Sequence, residues 1–265
     1  MYPFYETRKN AEAFYFTTFL ATNIIFPPHL HSYVELIYVV EGELLVTIND
    51  KKKEIKKGEI AFSFPNDIHS YETSNASIAI IIIFSPEIIN GYFGNKSDLT
   101  LENPFYYCPL KIIEFLNIIL EEFNTTKNEF IIKGMLYSIF GKMDSVFTFE
   151  NKKYTYDSTV QLLLKYIESH FTENLSLDSL SKALGFSKFY ISRLFTKKIG
   201  YQFNEYINML RINMAQSLLT DTSMSILNIA FECGFDSQRN FNRVFKHFIV
   251  LTPREFREKQ TTLTH

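Results

Sequence analysis

Two periodicities divide this chain. Up to residue 85 the apolar residues gather in short β-branched and aromatic runs: Phe14–Leu20, Val34–Val40, Glu43–Ile48, Glu59–Phe64 and Ser77–Phe84. Turn formers separate them at Pro27-Pro28, Glu41-Gly42, Asn49-Asp50, Lys57-Gly58, Pro65-Asn66-Asp67 and Ser74-Asn75. Short strands at even spacing predict a sandwich or barrel. Glu41-Gly42, between two strong strands, predicts a hairpin. From Pro86 the spacing turns helical. Ile112, Phe115, Leu116, Ile119, Leu120 and Phe123 make one stripe, and Ile132, Met135, Leu136, Ile139, Phe140 and Met143 a second. Two amphipathic helices after a small barrel must cover something, either the barrel itself or a second copy of the chain. Phe149–Ser158 is polar and aperiodic and reads as an interdomain linker. Ser158 is placed to cap the next helix, whose apolar positions are Val160, Leu163, Leu164, Ile167 and Phe171.

A pattern is then written twice. Leu180-Ser181-Lys182-Ala183-Leu184-Gly185-Phe186-Ser187 precedes Arg193-Leu194-Phe195; Ile229-Ala230-Phe231-Glu232-Cys233-Gly234-Phe235-Asp236 precedes Arg243-Val244-Phe245. Phe186 and Phe235 stand 49 residues apart. Each copy has the grammar of helix, sharp turn and second helix, the layout of a helix-turn-helix DNA reader. Ser176 and Ser225 are placed as N-caps of the first helices, and Ser187 and Asp236 as caps of the second. Gly185 and Gly234 make the turns, and Gly200 closes the first reading helix. A helix over about Phe203–Leu219 bridges the copies. The fold class is therefore α+β with two domains. We expect a β-barrel over 1–85, a helical extension over 86–148, a linker over 149–157 and an all-α domain over 158–265 with two helix-turn-helix motifs joined by a linker helix.

Composition agrees with a globular chain: 46% hydrophobic and 21% charged. The net charge of −2 hides an asymmetry, because from Thr155 onward 13 Lys and Arg face 10 Asp and Glu. A basic C-terminal part beside an acidic N-terminal part suits a DNA-binding module attached to something else. Cys108 and Cys233 are too few for a disulfide framework and sit among apolar residues. No basic segment followed by an apolar run opens the chain. The longest apolar run, Ile78–Phe84, is too short to span a bilayer. A cytoplasmic protein without membrane partners is expected.

The barrel region carries its own chemistry. His29, His31, Tyr33 and Glu35 alternate, so on one strand they would share a face and point inward. His69 from a neighbouring strand would complete a set of three histidines and a carboxylate, suited to iron, manganese, nickel or zinc. His29, His31, Glu35 and Gly42 resemble the first motif of the cupin family at every spacing. Asn23 replaces its usual leading glycine. Gly58, Pro65 and His69 match its second motif, whereas Asp67 stands for a glycine and Thr73 for an asparagine. The degraded second motif argues against a metal-dependent enzyme. No cofactor and no catalytic residue are assigned, and His29, His31, Tyr33, Glu35 and His69 are expected to line a pocket for a small organic effector.

Base readers are expected on the second helix of each copy: Lys188, Phe189, Ser192 and Arg193, then Gln238, Arg239, Asn240, Asn242 and Arg243. Arg can bind guanine bidentately, and Asn or Gln adenine. Ser187, Lys197, Lys198, Ser237, Lys246 and Arg254 are placed to meet phosphates. Ile229-Ala230, Gly234-Phe235, Asn240 to Lys246, Thr252-Pro253 and Phe256-Arg257 resemble the signature of the AraC/XylS family of transcription regulators. One departure is Val250, where that family usually has glycine. The resemblance implies a regulator of transcription, most simply an activator. It would bind double-stranded DNA with both readers, respond to a small-molecule effector, dimerise through the helices after the barrel and work with RNA polymerase.

Overall fold

The computed structural model describes residues 15–96, 98–151 and 158–263. They divide into two compact units, one reaching Gln161 and the other beginning at Leu162. The first is sheet-rich and the second is helical. Among the described residues no helix is long and apolar enough to cross a membrane.

The first unit holds β1 (Phe16–Thr22), β2 (Ile25–His29), β3 (Val34–Ile48), β4 (Lys51–Lys56), β5 (Glu59–Ser63), β6 (His69–Glu72) and β7 (Ser77–Phe84). A 3-10 turn and the short α1 (Asn90–Phe93) follow, then β8 (Leu99–Leu101), β9 (Phe105–Tyr107), α2 (Leu110–Asn124), α3 (Glu129–Met143) and β10 (Phe149–Asn151). One layer has the order β1-β7-β3-β5-β9; in the other, β6 lies between β2 and β3, and β4 pairs with β3. The long β3 belongs to both. Val34–Gly42 pairs with β7, with β5 alongside Glu35–Tyr38, while Glu43–Ile48 pairs with β4.

The hairpin expected at Glu41-Gly42 is therefore not formed. The chain runs straight through with a register shift between Val39 and Glu41, the mark of a bulge. Gly42 has φ +76° and packs on the neighbouring backbone: a Cβ there would lie 2.0 Å from the Ala76 carbonyl oxygen. The glycine permits a bend between layers, not a reversal. The reversal comes at Asn49-Asp50, where Asn49 has φ +54°. Several strands escape the sequence pattern, among them β8 and β9 in the stretch expected to be a helical extension. In β2, Pro27-Pro28 imitates a turn but sits at a register shift in the ladder with β6. In β4, Lys51-Lys52-Lys53-Glu54-Ile55-Lys56 buries only Ile55 fully, so it shows little apolar alternation.

Both faces of the β3 layer are covered. Val34, Leu36 and Tyr38 of β3, Ile60 and Phe62 of β5 and Ile80, Ile82 and Phe84 of β7 share one core with Ile112, Leu116 and Ile119 of α2 and Leu136, Ile139 and Phe140 of α3. The alternate residues Glu35, Ile37, Ala61, Ser63, Ile81 and Ile83 are buried on the opposite face. This explains the unbroken apolar run of β7. The helices after the barrel thus pack on the outside of its sheet. Phe149–Asn151, read as the start of the linker, instead forms β10 and pairs with β8. The remaining linker positions, 152–157, lie outside the described residues.

The second unit takes in α4 (Ser158–His170) from Leu162 onward, then α5 (Leu177–Leu184), α6 (Lys188–Leu194, continued by a π turn to Ile199), α7 (Phe203–Asp221), α8 (Ile226–Glu232), α9 (Gln238–Ile249) and α10 (Pro253–Leu263). Ser176, Ser187 and Ser225 cap as expected, each accepting a backbone N–H in the first turn. The cap of α9 is Ser237, not Asp236: the Ser237 hydroxyl accepts the Asn240 N–H. Gly185 and Gly200 close their helices at φ +74° and +86°. Val250 closes α9 at φ +68°, a conformation that strains a β-branched residue.

Gly42→Ala should destabilise the first unit by about 3 kcal/mol, because it adds a backbone clash to a left-handed conformation. Denaturant unfolding followed by circular dichroism measures this.

Candidate functional site

Most of the expected base readers are exposed or half-buried on α6 and α9. On α6, Lys188, Phe189 and Arg193 are exposed and Ser192 is half-buried, while Ile191, Leu194 and Phe195 face the core. Phe189 is 79% exposed, the most apolar point on that surface. Lys188 is shared with Asp178 of α5 at 3.2 Å, a solvent-facing pair worth little in stability. On α9, Arg239, Arg243 and Lys246 follow one another around the exposed face, and Gln238 and Asn240 are half-buried beside them. Phe241, Val244 and Phe245 hold the helix down. Of the expected phosphate contacts, Lys197, Lys198 and Arg254 are exposed, whereas Ser187 and Ser237 already serve as helix caps. Arg254 also binds Glu258 at 2.9 Å along α10.

Two details differ from the expected reading face. Asn242 is turned inward, and its side-chain oxygen is buried without a hydrogen-bond partner among the described residues. It follows Phe241 by one step, about 100° around the helix, which takes it to the edge of the buried stripe. A hydrogen-bonded chain also orders the reading face. Asn240 donates from Nδ2 to the Asp236 carboxylate at 3.1 Å, and Arg243 donates from Nη2 to Asn240 Oδ1 at 2.9 Å. Asp236 thus sets the orientation of the Asn240 amide, and that amide holds Arg243. Asp236, Asn240 and Arg243 stand at i, i+4 and i+7, a spacing that does not by itself reveal which polar side chains bind one another.

In the first unit, His29, His31, Glu35 and His69 are all buried and come together. They do not arise from one alternating strand: His29 ends β2, His31 lies in the following loop, Glu35 is in β3 and His69 opens β6. Glu35 is the hub. Its Oε2 lies 3.2 Å from both His31 Nε2 and His69 Nε2, and its Oε1 accepts the Tyr71 hydroxyl at 2.7 Å. Tyr71 was not anticipated, although it stands two residues after His69 on the same face of β6. Tyr33, expected to line the site, is half-buried and packs its ring on Tyr15. Its backbone N–H donates to His31 Nδ1 at 3.2 Å.

These contacts assign protons. His31 accepts at Nδ1, so its proton is on Nε2 and points to Glu35. His29 Nδ1 lies 2.9 Å from the Pro27 carbonyl and donates to it, which leaves Nε2 as the lone-pair nitrogen. His69 Nδ1 lies 2.8 Å from the Asp67 carbonyl, to which it donates, and 3.1 Å from Ser63 Oγ, and Nε2 faces Glu35, the arrangement that favours a second proton on this ring. The charge states follow. Burial works to raise the Glu35 pKa, yet hydrogen bonds and charge from His31 and His69 bring it well below the usual 4.5. Burial lowers His29 and His31 below 6.5, with His69 adding repulsion. Burial opposes protonation of His69 too, but the Glu35 hydrogen bond and charge raise it above 6.5.

The departures from the cupin pattern have local explanations. Asn23 takes the left-handed conformation of the glycine it replaces, at φ +52°, and its side-chain oxygen accepts the Ser77 N–H at 3.0 Å. Asp67 is buried and accepts from Asn49 at 3.0 Å, the Phe64 N–H at 2.9 Å and Thr100 at 3.0 Å. The three histidines and Glu35 each offer one ligand atom within 4.8 Å of the others, a donor set that suits a divalent transition metal.

The pH dependence follows from these directions. Glu35 contributes stability above about pH 4.5, which is lost as pH falls through its depressed value. His69 contributes below about pH 6.5, and that share is lost as pH rises through its raised value. Neutral His29 and His31 contribute above about pH 6.5, with loss as pH falls. Glu35→Gln removes the anion, so burial should carry His69 below 6.5 and the unit should lose about 3 kcal/mol at neutral pH. Denaturant unfolding together with histidine ring NMR from about pH 5 to 8 reads both changes.

Comparison with known proteins places both units. An AraC-like ligand binding domain family matches residues 14–121, and a helix-turn-helix domain family matches residues 180–259. An uncharacterized HTH-type transcriptional regulator of Staphylococcus aureus strain COL is 26% identical over 237 residues, covering 86% of this chain and 32% of its own length. The chain thus spans about a third of that relative. The Msm operon regulatory protein of Streptococcus mutans is 25% identical over 252 residues, with 88% and 87% covered. Among solved structures, apo ToxT from Vibrio cholerae superposes with a TM-score of 0.58 at 18% identity, covering 94% of this chain and 98% of ToxT. Fatty-acid-bound ToxT gives 0.55 at 18% identity, with 92% and 94% covered. These structures share the two-unit fold. With the ligand-binding and helix-turn-helix matches standing in that order along one sequence, the chain belongs to the AraC/XylS family of transcription regulators.

Proposed function

We propose that this chain is a sequence-specific, DNA-binding transcription regulator that responds to a small-molecule effector. The observation that carries the reading is the pair of reading helices, each capped, held on a buried aromatic and aliphatic stripe and presenting cations outward. Gln238, Arg239, Asn240 and Arg243 form the hydrogen-bonding face of the second reader. Lys188, Phe189, Ser192 and Arg193 form a sparser face on the first. Sequence discrimination therefore rests more on α9, and α6 contributes more to positioning. Lys197, Lys198, Lys246 and Arg254 meet phosphates, with backbone N–H groups at the helix starts.

The effector acts on the cluster of His29, His31, Glu35 and His69, with Tyr33 at its edge. A ligand that competes for the Glu35 hydrogen bonds would favour one arrangement of that network over another, which is what a switch requires. The fatty acid bound in ToxT and the operon regulator of Streptococcus mutans support a ligand-responsive regulator. The chain works as a homodimer in the cytoplasm. Phe130, Gly134, Tyr137 and Gly141 form an exposed stripe on α3, and its small and aromatic residues suit a second copy. Activation through RNA polymerase is the simplest output, and no catalytic step is assigned.

The test is selection of preferred duplexes from a random DNA pool. Arg243→Ala should then weaken the selected duplex by about 1–3 kcal/mol while sparing unrelated DNA. Equal loss on both would reduce Arg243 to a phosphate contact, and failure of the intact chain to select any sequence would remove the reading.

A second reading rests on the compact donor set of three histidines and a carboxylate. If the cluster holds a metal, His69 must first give up its second proton, so affinity should rise with pH. Elemental analysis of the purified protein should find a stoichiometric metal that His69→Ala loses. Metal-free protein with unchanged DNA binding would set this reading aside.

A further inference from the structure

One side chain joins the root of the first reader to the turn of the second. Arg211 lies in the middle of α7. Its Nε donates to the Phe171 carbonyl at 2.8 Å and its Nη2 to the Glu173 carbonyl at 2.7 Å. Both carbonyls lie just past the end of α4, where a cation is favoured by the helix dipole and the last carbonyls lack helical partners. Glu173 is three residues before Ser176, the cap of α5. The guanidinium also lies 5.6 Å from the centre of the Phe235 ring, a cation–π contact with the turn residue of the second motif.

A second contact closes the same junction. Gly234, at φ +83°, lies against the backbone of Thr172, where an added Cβ would come within 2.4 Å of the Thr172 carbonyl oxygen. The turn between α8 and α9 therefore rests on Thr172, the residue between the two whose carbonyls Arg211 grips. Residues 171–173, Arg211 and Gly234-Phe235 form one junction made from three separate parts of the chain. A lysine could not replace this grip, since two carbonyls and an aromatic face need a planar, multi-donor head.

We propose that Arg211 is the positioning residue that fixes the separation of the two reading helices, so that the protein discriminates the spacing of its two DNA boxes as well as their sequence. This rests on the reading of the chain as a two-headed DNA binder. A two-headed binder gains affinity only when both heads engage together, and that depends on how narrowly their separation is held. With the junction intact, DNA of the wrong spacing must distort or lose one contact. With Arg211 removed, the second motif can adjust, and off-spaced boxes become nearly as good as correctly spaced ones.

The experiment uses the full chain and the duplex it selects, together with duplexes carrying the same boxes moved apart or together by one and two base pairs, and a duplex with one box. Wild type should lose about tenfold or more per base pair of misplacement. Arg211→Met should bind the selected duplex about tenfold more weakly and flatten the spacing profile to about threefold, with single-box affinity unchanged. Arg211→Lys keeps the charge and should give an intermediate profile; it also decides the matter if the methionine variant does not fold. A variant profile as steep as that of wild type, or equal loss on one box and on two, overturns the assignment. If wild type selects no sequence, the two-headed reading fails at its first step, a result distinct from a flat comparison between variants.

Discussion

A carboxylate stands near the start of a strand that is buried on both faces there, and the first unit is arranged around satisfying it. Leu36 and Val34 face the helices, so Glu35 must face the interior of the β-structure, where it is 3% exposed. An unpartnered carboxylate there would cost several kcal/mol, of the order of 5 or more. Three donors answer it: His31 from the loop before β3, and His69 and Tyr71 from β6. The carboxylate comes from one layer and two of its donors from the other, so the polar cluster fixes their register as well as neutralising a charge. A slip of one residue in β3 would point Glu35 into the α2–α3 core and Leu36 into the histidines. Gly42 belongs to the same constraint, because β3 must bend after serving the first layer in order to pair in the second.

The cluster is not isolated within its unit. His69 donates to the Asp67 carbonyl, and the Asp67 carboxylate binds Thr100 in β8. Thr100 pairs with Glu150 in β10, and Glu150 also takes Lys51 at 2.6 Å. Lys51 in turn donates to the Leu101 carbonyl at 2.7 Å. The strand by which the described chain leaves this unit is therefore tied, through hydrogen bonds, to the histidine whose charge depends on Glu35. Contiguity alone is not coupling.

The second unit solves a different problem. Apart from α7 its motif helices are short, so their ends matter more than their middles. Serine caps start α5, α6, α8 and α9, and left-handed residues end α5, the turn after α6, and α9. Val250 occupies the last of these positions without the freedom of glycine, and the Val250 N–H still bonds to the Lys246 carbonyl. The geometry of that helix end is thus kept despite the residue, which leaves Arg239, Arg243 and Lys246 on one face.

How much was legible in the sequence follows from the range of each interaction. Cap and turn chemistry acts over three or four residues, so Ser176, Gly185, Ser187, Gly200 and Ser225 could be placed from local pattern. The error between Asp236 and Ser237 arose because both are good caps and only backbone geometry chooses between them. The interior cluster was foreseen as a set, but its construction was not: alternation placed His29 to Glu35 on one strand, whereas a loop delivers His31 and a bulged ladder delivers His29. Strands β2 and β4 were missed because proline and lysine runs carry no apolar period, and their pairing is decided by β3 and β6, far away in sequence. Gly42 shows the limit most clearly. Its neighbour Ala76 is 34 residues distant, and a glycine that forms a turn looks the same in sequence as one that lets two backbones touch. Arg211 has the same character: nothing within α7 marks it, and its partners at Phe171, Glu173 and Phe235 lie on either side of it in sequence, so its role exists only after the helices have packed.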